Sequence, residues 1–429
     1  MPHGGEGDEE DGDFEEPEEE EEQEMPDGTE SGSAATAMQP LPPVEPTLYS
    51  ALETGDTELA LSLLQDPNAD PNKTWGPPGE LTSLMLCARF NNLEVASLLV
   101  QRRADLNTTS KDFGVTALAQ AAARGHLSVL NMLVAARADV NLLNDAVMEQ
   151  PRTPLQFAVK RGHAAVITAL LEAKADPELG NSCDGTPLTS ACFNADFECL
   201  EALVKGGANV SAAYHHCYPP LFAAAHEGEV EMVVCLLSAR ADPNAPCEWN
   251  GSTPILQTCW EGHVEVVRLL IAAKANLDVK RSDPKIQDNG ATPLYLAAAH
   301  GHAEVVKLLI DHQCSVNAST TDDVNPVFAA VQSFNRQGAS PLETMKILIQ
   351  AGGDVRQQTV AAECNSPLHF AAQYDRLEEA KLLLEARADA LQKAPDGKTP
   401  LDLSKSRAMR DLLESAAGPT ARKSGPTSD

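Results

Sequence analysis

The stretch TPLYLAAAHGHAEVVKLLI at 292–310 returns in altered form along nearly the whole chain, and this recurrence limits the fold more than any single motif. Aligned on its Thr-Pro-Leu, the other copies are TSLMLCARFNN at 82, VTALAQAAARGH at 115, TPLQFAVKRGH at 153, TPLTSACFNAD at 186, PPLFAAAHEGE at 219, TPILQTCWEGH at 253, NPVFAAVQSFN at 325, SPLHFAAQYDR at 366 and TPLDLSKSRAM at 399. A diverged first copy, PTLYSALETGD, begins at Pro46. Starts lie mostly 33 or 34 residues apart, stretching to 36, 37, 39 and 41 where insertions intervene. Such a chain repeats one small structural unit.

Each part of a copy has a physical reading. The leading Thr can cap a helix by accepting from exposed amides, and Pro in the first turn forfeits no internal hydrogen bond. Nine residues after the start come Gly55, Gly125, Gly162, Gly228, Gly262 and Gly301, where a tight turn needs positive φ; Asn91 and Asp375 tolerate that conformation and Ala195 does so less comfortably. A second apolar run carries Leu98-Leu99, Leu170-Leu171, Leu236-Leu237, Leu269-Leu270 and Leu308-Leu309, then ends in ARADVN, AKADPE or ARADPN. Two helices of about eight residues are marginal alone, so each copy must bury its apolar faces against its neighbours. With 43% hydrophobic but 4% aromatic content, the shared core is built from Leu, Ala and Val.

The pattern TPLxxAAxxGHxxVVxLLxxxADVN resembles the ankyrin repeat, present in about ten to eleven copies over 46–415. The resemblance implies an all-α solenoid of stacked helix-turn-helix units with hairpin fingers, curved so that its concave side binds proteins. The tetratricopeptide, the other common 34-residue repeat, lacks the Thr-Pro start and the ADVN-type linker. Two departures stand out. Only His369 keeps the family's His after Thr-Pro-Leu, and the usual Gly before Ala-Asp is replaced by Arg103, Arg137, Lys174, Arg240, Lys274 and Arg387. Those cations are expected near helix C-termini, where the macrodipole favours positive charge by a few tenths of a kcal/mol. The resemblance also implies that asparagines such as Asn72, Asn107, Asn141, Asn244 and Asn317 can be hydroxylated; their expected ordinary role is to close the turn.

His302 is matched by His126, His163 and His263, each after the turn glycine of its own copy. A residue repeated by architecture is expected to pack and hydrogen-bond rather than to react. His300, in contrast, occupies a position that varies. His215, His216 and Cys217 are adjacent, a poor arrangement for converging on one tetrahedral ion, so no metal site is expected.

In stacks of this family the two residues before the turn glycine line the concave groove. That places Arg89, Phe90, Arg124, Lys160 and Arg161 early, Phe193, Asn194, His226, Glu227, Trp260 and Glu261 in the middle, Ala299 and His300 next, and Gln373 and Tyr374 late. The groove is thus basic first, then aromatic and mixed. Fingers AYHHCYPP at 213–220 and CEWNGSTP at 247–254 bring Trp249 close to Trp260 in one repeat, a candidate anchor because aromatics carry disproportionate interface energy. Packing of Trp260 between repeats is the alternative. Insertions around Trp75, at 279–290 and at 335–343 read as extended fingers or loops.

The net charge of -31 is uneven, since residues 1–40 hold sixteen Asp and Glu and no Lys or Arg. Residues 1–45 read as a disordered acidic tail and linker, and 416–429 as a disordered C-terminal tail. The sign argues against direct nucleic-acid or membrane contact and favours basic surfaces, among them the chain's own Arg89, Arg124, Lys160 and Arg161. No apolar run approaches a membrane span, and ten scattered Cys without a CxxC pair fit reduced thiols in a cytoplasmic or nuclear setting. Phosphate-binding GxxxxGK, GxSxG and HExxH motifs are missing, so no enzyme and no cofactor is expected. The expected function is a protein-interaction scaffold or adaptor. The alternative makes the acidic tail a binder or chaperone of basic proteins, tethered by the repeats.

Overall fold

The computed structural model describes residues 47–65, 70–75, 81–111, 114–144, 151–181, 185–212, 218–248, 250–282, 289–333, 340–360 and 366–418. The acidic N-terminal segment, His215, His216, Cys217, Trp249 and the last eleven residues lie outside the described residues. The described part is eleven helix pairs: α1 Leu48–Glu53 with α2 Thr57–Leu63, α3 Ser83–Arg89 with α4 Leu93–Gln101, α5 Ala117–Ala123 with α6 Leu127–Ala135, and α7 Pro154–Lys160 with α8 Ala164–Glu172. Next come α9 Pro187–Phe193 with α10 Phe197–Lys205, α11 Pro220–Glu227 with α12 Val230–Ser238, α13 Pro254–Glu261 with α14 Val264–Ala272, and α15 Pro293–Ala299 with α16 Ala303–Asp311. The last three are α17 Pro326–Gln332 with α18 Pro341–Gln350, α19 Pro367–Gln373 with α20 Leu377–Glu385, and α21 Pro400–Leu403 with α22 Arg407–Ala417. First helices pack on first helices and second on second, so the pairs stack into two rows.

The caps follow the sequence. Thr82, Thr116, Thr153, Thr186 and Thr292 each accept at the side-chain oxygen from the backbone N–H three residues on, and Asn325 does the same in the ninth pair. In the first copy the cap is Thr47, one residue later than Pro46, paired reciprocally with Ser50. The turn glycines adopt positive φ as expected, with Asn91, Ala195 and Asp375 left-handed in their stead at φ 56, 51 and 56.

The core runs the length of the stack. The leucine seventeen residues after the cap position is fully buried in copy after copy: Leu99, Leu133, Leu170, Leu203, Leu236, Leu270, Leu309 and Leu383. Burying one such side chain contributes about 1.5–3 kcal/mol, and its helix packs both on its own pair and on neighbouring pairs. At the C-terminal end α22 buries Met409 and Leu413 while exposing Arg407, Arg410, Asp411 and Glu414, so its outer face suits water.

Two features differ from the sequence reading. The cations before Ala-Asp are not merely near helix ends: Arg103, Arg137, Lys174, Arg240, Lys274 and Arg387 themselves take left-handed backbone, φ 64–70, where Gly207 and Gly352 stand in other copies. The asparagines do not close their own turns. Asp139 Oδ1 accepts from Asn141 N within one turn, while Asn107 Oδ1 accepts from Asp139 N in the next repeat at 2.9 Å. The same reach joins Asn72 to Asp105, Asn141 to Asp176, Asn244 to Asn276 and Asn317 to Asp354. These side chains stitch repeats together because the aspartate already satisfies the local amide.

The fingers are closed by backbone pairs. A two-residue antiparallel ladder joins β1 Thr74–Trp75 to β2 Leu81–Thr82, and Asn181 and Gly185 exchange both bonds at 3.1 Å. Elsewhere Asn144 N donates to Arg152 O, Cys247 N to Ser252 O and Arg281 N to Ala291 O.

Candidate partner-binding face

Because first helices stack directly on one another, the residue ending each helix and the one after it form a line across repeats. This line holds most of the residues singled out from the sequence. At its N-terminal part Arg89 ends α3, Arg124 follows α5, and Lys160 and Arg161 end α7. Arg124, Lys160 and Arg161 are exposed, and none of the four forms an ion pair among the described residues. Partial burial and the neighbouring charges of Arg89 and Arg161 lower the pKa of Arg124 from its ordinary value, so Arg124 stands under like charge from both neighbouring repeats. Arg89 sits 5.8 Å from the centroid of the half-buried Phe90 ring, itself edge-on to Tyr49 at 5.9 Å.

In the repeat after Lys160 and Arg161, Phe193 is 37% exposed at the end of α9. Its ring meets Tyr218 edge-on at 5.6 Å and His226 at 6.4 Å, and Tyr218 stacks on buried Phe222 at 4.8 Å. Tyr218 and Phe222 were not singled out as site residues. Tyr218 precedes Pro219 at the foot of a finger, and that position beside a first helix is the signal that points to it. His226 lies 3.0 Å from Glu227 Oε1 through Nδ1 and 3.9 Å from Glu261 Oε1 through Nε2, joining two repeats.

Trp260 is half-buried. His300 of the following repeat lies 4.1 Å from its ring centroid, and the Arg281 guanidinium lies over it at 5.7 Å. Its carbonyl accepts from His302 Nε2 at 2.9 Å. The indole thus contacts the next repeat while keeping an accessible edge. His126, His163 and His263 make the corresponding bond to Arg89 O, Ala123 O and His226 O. Tyr374 stands apart, 55% exposed just after α19 beside Phe370 at 4.4 Å, with Lys405 5.9 Å from its ring.

Among the described residues no three His, Cys, Asp or Glu converge as metal ligands. None of the seven described Cys forms a disulfide among the described residues, and burial pushes the Cys87 thiol up to about 12. A cleft of about 480 Å³ near the C-terminus is lined by Arg356, Arg387, Gln392 and Ala417, but Arg356 already donates twice to Arg387 O. No described helix is long and apolar enough to cross a membrane.

Stacked helix pairs with a line of exposed end residues define a repeat protein that presents a side-chain face, and the comparisons agree. A family model described as ankyrin repeats (3 copies) matches 48–144, 141–214, 215–283 and 276–359, and one described as ankyrin repeats (many copies) matches 348–404. The chain belongs to the ankyrin repeat family, whose repeats generally mediate protein–protein interaction. It is 26% identical over 95 residues to the Escherichia coli (strain K12) ankyrin repeat protein YahD, covering 21% of this chain and 47% of that one. It is 34% identical over 96 residues to the Drosophila melanogaster ankyrin repeat and KH domain-containing protein mask, 22% of this chain and 2% of that one. It is 42% identical over 52 residues to ankyrin repeat and SOCS box protein 11 of Danio rerio, 12% of this chain and 18% of that one. The chain spans less than half the length of these relatives.

Proposed function

We propose that this protein is an interaction scaffold or adaptor, without catalytic activity, that binds a partner protein through the first-helix line from Arg89 to Tyr374 and the adjoining finger tips. The observation that carries the reading is the coexistence on one face of four cations without ion pairs among the described residues and of aromatic side chains left open to water, Phe193 and Tyr374. Trp260, His226 and His300 extend the face; Trp249, outside the described residues, is a further candidate from the sequence alone. The test is affinity capture with the full chain and with Arg124→Glu/Arg161→Glu and Phe193→Ala variants, folding being checked by helical circular dichroism. A specific partner lost from the variants supports the reading; identical captured sets overturn it.

A second reading rests on the sixteen acidic residues of 1–40. That segment binds or chaperones basic proteins such as histones, with the repeats as tether, or competes with anionic ligands for Arg89, Arg124, Lys160 and Arg161. Deleting 1–40 then raises affinity for anionic ligands at low salt, with a gain that fades as salt rises. Unchanged low-salt affinity counts against the competition.

A further inference from the structure

We infer that the face from α3 to α11 docks one extended segment of a partner protein that carries acidic side chains over Arg89, Arg124, Lys160 and Arg161 and, about six residues away, a large apolar side chain against Phe193 and Tyr218. This deepens the scaffold reading and rests on it.

Three observations lead there. The chain has nearly twice as many acidic as basic residues, 63 against 32, yet four cations on successive repeats have no ion pair among the described residues. Like charges held together without counter-charges are unfavourable in the free protein, so an arriving carboxylate relieves repulsion as well as adding attraction. Next in line is an aromatic surface: Phe193 is 37% exposed, and Tyr218 is fixed beneath it by stacking on buried Phe222, so the ring needs little ordering on binding. Beyond it the character changes to the His226, Glu227 and Glu261 cluster, whose carboxylates would repel a continued acidic run. The acidic requirement therefore ends at the aromatic step.

The spacing follows from the stack. Packed helices lie about 8–10 Å apart, so the two steps from α5 to α9 span about 20 Å. An extended strand advances about 3.3 Å per residue, giving about six residues from the centre of the acidic run to the apolar anchor. A nucleic acid could also supply anionic charge, but the basic stretch is short, Glu227 and Glu261 stand further along the same line beyond the aromatic step, and the chain as a whole is strongly acidic. A protein segment fits better.

The test uses the full chain with the acidic residues of 1–40 changed to their amides, so that they cannot compete. The probe is a fluorescein-labelled peptide of four glutamates, a four-residue glycine-serine spacer and Phe-Leu, read by anisotropy at low salt. Expected results are binding that weakens about tenfold in Arg124→Glu/Arg161→Glu and about fivefold or more in Phe193→Ala, with Tyr218→Ala as the second aromatic variant. A peptide lacking Phe-Leu should bind more weakly, and shortening the spacer to two residues should remove the aromatic contribution. The proposal is overturned if the all-acidic peptide binds as tightly and both aromatic variants leave affinity unchanged, or if single-stranded oligothymidylate binds more tightly than the peptide. If no peptide binds while affinity capture still depends on Arg124 and Arg161, this proposal fails and the scaffold reading stands; if capture also ignores them, both fail.

Discussion

His302 Nε2 lies 2.9 Å from the carbonyl oxygen of Trp260, one repeat upstream, and the same imidazole closes over the turn glycine between them. A Cβ on Gly262 would stand 2.5 Å from His302 Nδ1, and φ there is +89°. Gly55 has φ +74° but nothing within 4 Å. Both glycines face the conformational cost of a side chain, about 1–2 kcal/mol, but only Gly262 adds a clash. Gly262→Ala should therefore destabilise its surroundings more than Gly55→Ala, and His302→Ala should remove the excess. Native-state hydrogen exchange of α13 to α16 measures this; equal effects of Gly262→Ala with and without the imidazole would show that backbone strain alone matters.

The asparagine stitching separates cleanly from the local aspartate turn. Asn107→Ala should unprotect the Asp139 amide and leave that of Asn141 protected, because the latter is held by Asp139 itself. Asp139→Ala should do the reverse for Asn141. Each loss is about 0.5–1.5 kcal/mol, limited by solvent access. Amide exchange by NMR reads both, and simultaneous loss of both amides in Asn107→Ala would mean the turn depends on its neighbour.

The left-handed cations invite replacement by glycine. Arg137 at φ 68° bears about 1–2 kcal/mol of backbone cost. Glycine loses about 0.5–1 kcal/mol through its more flexible unfolded state, and removing the charge from the helix end loses a few tenths. Arg137→Gly should thus stabilise slightly, by up to about 1 kcal/mol, and Gly207→Arg should destabilise by a similar amount. Urea midpoints at unchanged m-value are the measurement; a lower midpoint for Arg137→Gly would show that the arginine side chain outweighs its backbone.

Most of the fold is legible in the sequence because one unit is written about eleven times, so Thr82, Gly125 or Leu170 is read against its counterparts. The candidate line is also legible as positions, since Arg89, Arg124, Phe193 and Trp260 hold the two adjacent places before the turn in their repeats. Their company is not. The contact of Tyr218 with Phe193, of His226 with Glu261 and of Arg281 with Trp260 arises from side chains of different repeats or fingers. The left-handed state of Arg137 was hidden for a related reason: charge suggests a helix end, whereas only the missing family glycine indicates φ.

His369 supplies a pH test that is independent of partner binding. It is fully buried, with Nδ1 2.7 Å from Ser366 Oγ and Nε2 3.3 Å from Lys398 O. A neutral ring that accepts from Ser366 and donates to Lys398 O satisfies both contacts. Burial lowers its pKa from the ordinary 6.5, partly offset by the Lys398 carbonyl and the charge of Asp396. His126 is also lowered, by burial first and then by Arg124 and His163, against the raising effect of its bond to Arg89 O. For a histidine with a depressed folded pKa the unfolded chain binds the proton more readily. Stability is therefore full above about pH 6.5 and falls as pH drops through the folded value, by at most about 1.4 kcal/mol per pH unit for each group. Asp396 and Asp402, held below 3.8 chiefly by hydrogen bonds from Lys398 and Thr399, lose their contribution only at lower pH, so the two windows separate. Urea midpoints between pH 7.5 and 5 should decline for the natural chain, and exchange protection in α19 should decline with them. His369→Gln should be less stable at pH 7.5 yet flatter across the range; an unchanged slope in that variant would assign the titration to other groups.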